Sequence, residues 1–91
     1  MLVALLLVAG ACESMPVQEM SDARQAISAA RDAGAEMHAA EQLAAAENSL
    51  TSAERYLNTR NYAVARQEAI EAKAHAIDAL RRSEAAREDE N

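Results

Sequence analysis

Three leucines, Leu43, Leu50 and Leu57, stand seven residues apart, and Ala39, Ala46 and Ala53 each precede one of them by four, so the series alternates spacings of four and three. A rhythm of 3.5 residues is the signature of a helix whose one face stays against a neighbouring helix. It excludes a strand, which would alternate every second residue. Small alanines on such a seam let the partner's backbone approach closely. The chain therefore needs further helices, and it needs them near.

The flanking segments supply them. Met20, Ala23, Ile27 and Ala30 repeat at spacings of three and four, and Gly34 in "DAGAE" closes that run in the manner of a C-terminal cap. Downstream, Tyr62, Ala65, Ala69, Ala72, Ala76 and Ala79 form a third stripe, widened by Ile70, Ile77 and Leu80. Asp78 and Arg82 make a favourable i,i+4 pair on it. The stretch "ENSLTSAE" holds weak helix formers, and Thr51 to Glu54 matches a capping box. The leucine stripe crosses it without losing phase, so the helix is expected to continue. The turn falls instead in "LNTRNY", with Asn58 suited to a left-handed closing residue and Asn61 to the next N-cap. The expected fold is all-α: a slim antiparallel three-helix arrangement with helices over about 19–33, 38–58 and 61–87 and a frayed acidic tail at 88–91.

Composition limits how well this can hold together. Hydrophobic residues are 51% of the chain, but most are alanine, and Tyr56 and Tyr62 are the whole aromatic content. Ordering a residue costs about 1.5 kcal/mol, so so thin a core is marginal on its own. Such a chain is expected to depend on an anchor, a partner or self-association. The net charge of −6 disfavours nucleic acid and electrostatic adsorption of the whole chain on anionic lipid.

An anchor is written at the start. Leu2 to Ala9 is an unbroken apolar run, too short for a bilayer that needs about 20 residues, and it reads as the core of an export signal. Ala9, Gly10 and Ala11 follow, then Cys12, the single cysteine. The stretch "LVAGAC" resembles a lipobox, which implies cleavage between Ala11 and Cys12 and lipidation of Cys12 by diacylglycerol and an N-acyl chain. Ala9 stands where that motif usually has leucine. Ala9-Gly10-Ala11 also satisfies the A-x-A rule for ordinary cleavage, which would leave an unanchored periplasmic protein. A plain free thiol is the third reading. No Lys or Arg precedes Cys12, so the basic start of the signal is expected upstream of Met1. Glu13 follows the cysteine where, in the enterobacterial pattern, aspartate would retain a lipoprotein in the inner membrane, so in a Gram-negative organism the outer membrane is expected. The expected division is a signal peptide at 1–11, lipidated cysteine and tether at 12–18, and helical domain at 19–87.

The segments "ARQAISAARDAGAE", "AAEQLAAAENSLTSAERYL" and "RNYAVARQEAIEAKAHA" resemble the family named domain of unknown function 4398, small alanine-rich helical bacterial lipoproteins. Ala33-Gly34-Ala35, Glu41 with Leu43, and Arg60-Asn61-Tyr62 stand where that family has its landmarks, over about residues 20–80. The resemblance implies a location and a shape but no enzymatic activity. The family usually has Gly-Asp where this chain has Arg60-Asn61, and Arg60 cannot replace glycine where positive φ is needed, so the turn is expected to differ locally.

Little else suggests chemistry. His38 with Glu41, and Glu71 with His75, offer two metal ligands each at helical spacing. A zinc site takes at least three protein ligands, so no metal and no resident cofactor are expected. Tyr56 and Tyr62 flank the second turn; they are candidates for pinning the hairpin or for binding a partner. The resulting expectation is a non-enzymatic lipoprotein at the periplasmic face of the outer membrane, an adaptor, spacer or small subunit of an envelope assembly with a protein partner. The alternatives are a soluble periplasmic helical binding protein cut after Ala11, and a self-associating structural lipoprotein using the alanine/leucine seam.

Overall fold

The periodic stripes become helices over nearly their whole length. The computed structural model describes residues 14–90, with α1 (Val17–Asp32), α2 (Ala35–His38), α3 (Ala40–Asn58) and α4 (Tyr62–Glu90). No strand occurs among the described residues. The tether expected to reach Gln18 is shorter, because α1 begins at Val17. Pro16 precedes it with a buried ring, Gln18 Nε2 donates to Asp22 Oδ1 at 2.8 Å, and Glu19 sits in the first turn. A carboxylate there complements the positive end of the helix dipole.

The directions of the three long helices follow from their ion pairs. Arg24 meets Glu54 at 3.2 Å and Arg31 meets Glu47, so seven residues forward on α1 match seven back on α3. On its other side α1 presents acids: Glu19 to Arg66 at 3.3 Å and Asp22 to Lys73 at 3.8 Å. Here both numbers rise together, so α1 and α4 run parallel and the order is up, down, up. Each half-exposed pair contributes about 0.2–1 kcal/mol. Their value lies in register, since basic residues of α1 face α3 and acidic ones face α4.

Alanine sets the core. Ala65, Ala69, Ala72, Ala76 and Ala79 are all fully buried along α4, and Ser83 continues the same seam, also fully buried. One cluster gathers Met20, Ala53 and Ala69. A second gathers Ile27, Ala30, Leu43, Ala46, Ala76 and Ala79 with Ala35 and Ala39. Leu50 packs against both and joins them. Met20, Ile27 and Leu43 are the large members, each worth about 1.5–3 kcal/mol when buried. All four residues of the expected first stripe are buried.

Two turns differ from expectation in instructive ways. After α1, Gly34 takes φ +96°, its N–H bonds to Arg31 O at 2.9 Å, and its carbonyl accepts from Met37 and His38 at 3.0 Å. The connection is thus one helical turn, α2, and α3 starts at Ala40 after Ala39 breaks the path at φ −150°. At the other turn Asn58 stays helical as the last residue of α3. Arg60 is the left-handed residue, at φ 64°. Its N–H bonds to Leu57 O at 3.0 Å and that of Asn61 to Tyr56 O at 2.9 Å, the crossed pair of a Schellman motif. Those two bonds satisfy carbonyls that would otherwise be orphaned, so the closure holds with arginine in the glycine position. Asn61 Nδ2 donates to Thr59 Oγ1 at 2.9 Å, bracing the turn from within.

Residues 88–90, expected as a frayed tail, are the last turn of α4. Glu90 Oε2 lies 3.7 Å from His38 Nε2, so the end of α4 sits beside α2. Ile70, expected to widen the seam, is 46% exposed; it lies one residue past Ala69, on the rim of the contact with α1. The Asp78–Arg82 pair forms at 3.1 Å.

Candidate functional site

Cys12 and the cleavage position between Ala11 and Cys12 lie outside the described residues, as does the signal segment. The structure does show where the chain leads out of the bundle towards them. Arg66, one turn into α4, donates through Nη2 to the Ser14 carbonyl at 3.0 Å and to Ser14 Oγ at 3.3 Å. The Arg66 Nε donates to Glu19 Oε2 at 3.3 Å. One guanidinium therefore clamps the first described residue, the start of α1 and the start of α4. An arginine suits this because its fork of donors is planar and permanently charged. Met20 N–H bonds to Pro16 O at 3.0 Å and Val17 N–H to Met15 O at 2.8 Å, so the backbone is fixed from Met15 onward.

The parallel course of α1 and α4 puts the α3–α4 turn at this same end. Met15, Pro16, Val17, Met20, Arg24 and Leu57 line a cleft of about 130 Å³ there. Small-molecule sites run to about 300–1,000 Å³, so the cleft is a notch between helices.

Tyr56 and Tyr62 flank the turn, as expected. Tyr56 is 38% exposed and its carbonyl accepts the Asn61 N–H and the Thr59 hydroxyl at 3.1 Å; Tyr62 is half-buried. Both tyrosines thus belong to the tether end. His38 is largely buried, with its Nε2 towards Glu90, and its ring lies 3.3 Å from where a Cβ on Gly34 would stand. Glu41, Glu71 and His75 are exposed. No three His, Cys, Asp or Glu side chains converge among the described residues. No helix among them is long and apolar enough to cross a membrane.

Arg66, Ser14 and Pro16 were not singled out by the sequence. Arg66 and Ser14 are 52 residues apart, and no local pattern marks either. No curated protein and no solved structure matches the chain. A family model does, that of the domain of unknown function DUF4398, over residues 18–91. That span takes in all four helices from Gln18 onward, and the chain belongs to the DUF4398 family.

Proposed function

We propose that the chain is a non-enzymatic lipoprotein of the bacterial cell envelope, held by a lipidated Cys12 at the periplasmic face of the outer membrane. Its helical body serves as a spacer or adaptor that presents a partner-binding surface at a set distance from the membrane. The observation that carries this reading is the clamp on Ser14. An anchor two residues earlier would hold the bundle by one end, and α4, with 29 residues, would extend about 43 Å from it. The apolar run Leu2–Ala9 and the lipobox-like approach to Cys12 support the anchor itself. Multiple acyl chains, at about 0.8 kcal/mol per buried CH₂, would make the attachment stable.

Self-association through the alanine/leucine seam has less support. Ala46, Ala53 and Leu43 are spent on contacts within the single chain, which leaves that seam unavailable to a second copy.

Membrane fractionation of a Cys12→Ser variant tests the anchor. The wild type is expected with the membranes and the variant in the soluble fraction; unchanged membrane association sinks the reading. Intact mass separates it from cleavage after Ala11 without lipidation, since both leave Cys12 first but only one adds acyl mass.

A further inference from the structure

We infer that the tether end of the bundle is a docking face for an anionic lipid surface, on which the rod stands upright. This rests on the lipoprotein reading, since the anchor brings the surface within reach. The leash is short: Cys12 precedes Ser14 by two residues, and an extended chain covers at most about 3.6 Å per residue. With Ser14 clamped to Arg66 at 3.0 Å, the end of the bundle must lie within about 7 Å of the lipidated residue.

The surface held there is suited to that position. Six large apolar side chains are exposed among the described residues, and four of them, Met15, Val17, Tyr56 and Val64, belong to this end. Val17 is the most open of the four, at 68%. Tyrosine, with an apolar ring and a polar tip, favours the membrane–water boundary.

Charge separates along the rod in the matching sense. At the tether end, residues 14–19 and 55–66 carry Arg55, Arg60 and Arg66 against Glu19 alone, a net of +2; Glu13 in the leash reduces it to +1. At the far end, residues 31–41 and 84–90 carry two arginines against seven acids, a net of −5. Arg55 and Arg60 make no ion pair among the described residues. The α1 and α4 N-termini also point this way against one C-terminus, that of α3, which adds positive dipole ends. A chain of net charge −6 would not adsorb unaided; once anchored, its basic end is drawn to the headgroups and its acidic end repelled.

The test uses the lipidated protein purified from membranes and reconstituted in phosphatidylcholine vesicles with about 30% phosphatidylglycerol, which carry a negative surface potential. Acylated Cys12 takes no thiol label, so single substitutions Val64→Cys and Ala85→Cys, both at exposed positions, report on the two ends. Relative to the same protein in pure phosphatidylcholine, which cancels the fixed charges of the two ends, iodide quenching of a fluorophore is expected to fall about threefold at position 64 and little at 85, the depletion of an anion at a surface potential of about −30 mV. The double variant Arg55→Glu, Arg60→Glu is expected to erase that difference while the protein still floats with the vesicles. An equal fall at the two positions in floating wild-type protein overturns the docking face. Shielding that persists in pure phosphatidylcholine overturns its anionic occupant, and shielding that vanishes on dilution in the bilayer assigns the face to a second copy. All three leave the anchor standing. Protein that neither floats nor carries acyl mass overturns the anchor and the docking face together.

Discussion

Arg66 donates to the backbone carbonyl of Ser14 at 3.0 Å across 52 positions of chain, and the same side chain reaches Glu19. An Arg66→Ala variant is expected to loosen residues 14–17 with little global effect. Global stability should fall by no more than about 1 kcal/mol, the scale of a half-exposed pair. Hydrogen exchange at Val17, whose amide bonds to Met15 O, should accelerate, while amides in the middle of α3 keep their protection. Equal acceleration in α3 would show that the clamp supports the whole bundle.

Ser83 is fully buried and its Oγ has no hydrogen-bond partner among the described residues. Leaving a hydroxyl unsatisfied costs about 1–3 kcal/mol, and alanine is the better helix former. Ser83→Ala should therefore raise stability by about 1 kcal/mol, read as a higher denaturant midpoint with an unchanged slope. A drop in the midpoint would mean that the hydroxyl is paired.

Arg60 holds φ 64° in the Schellman closure of α3. A side chain in the left-handed region costs about 1–2 kcal/mol, partly offset by the greater chain entropy that glycine loses on folding. Arg60→Gly should gain roughly 0.5–1 kcal/mol. At Gly34 the opposite holds, since φ is +96° and a Cβ would come 3.3 Å from the His38 ring. Gly34→Ala should lose about 1 kcal/mol or more. Thermal unfolding of the two variants, shifting in opposite directions, checks both.

The seam should resist enlargement. Ala46 and Ala76 are fully buried, and a leucine at either must push two helix backbones apart. Overpacking of this kind costs about 1–3 kcal/mol, or very roughly 4–20 °C in Tm for a domain of this size. Ile70→Ala, at a position 46% exposed, should change stability by only about 0.5 kcal/mol.

Much of the fold was legible because alanine and leucine repeat in phase. Met20, Ala23, Ile27 and Ala30 are read as one face and buried as one face. The alanines from Ala65 to Ala79 follow the same logic. What escaped was conformational rather than periodic. Ser83 is polar, so a hydrophobic pattern passes over it even though it holds the next seam position. Asn58 has the right chemistry for a left-handed residue, but the backbone geometry of the turn needs that residue two positions later, where arginine stands. The one-turn α2 carries too few residues for a period to show. Tyr56 and Tyr62 stood out in the sequence by their rarity and placement beside a turn, and the structure sets both at the tether end. The Arg66–Ser14 clamp did not stand out, because a contact between distant segments depends on the relative heights of α1 and α4, which no local spacing encodes.

Three long passes are an odd number, and this has a mechanical consequence. The chain enters at Ser14 beside the foot of α4 and reaches Glu90 beside α2 at the opposite end. A pull between those two points runs lengthwise along every helix interface at once. The alanine contacts and the Arg–Glu rungs would then be loaded in shear, many together, rather than peeled apart one after another as in a two-helix hairpin pulled from its open end. A bundle cored mainly by alanine is in this way given its stiffest direction along its own length.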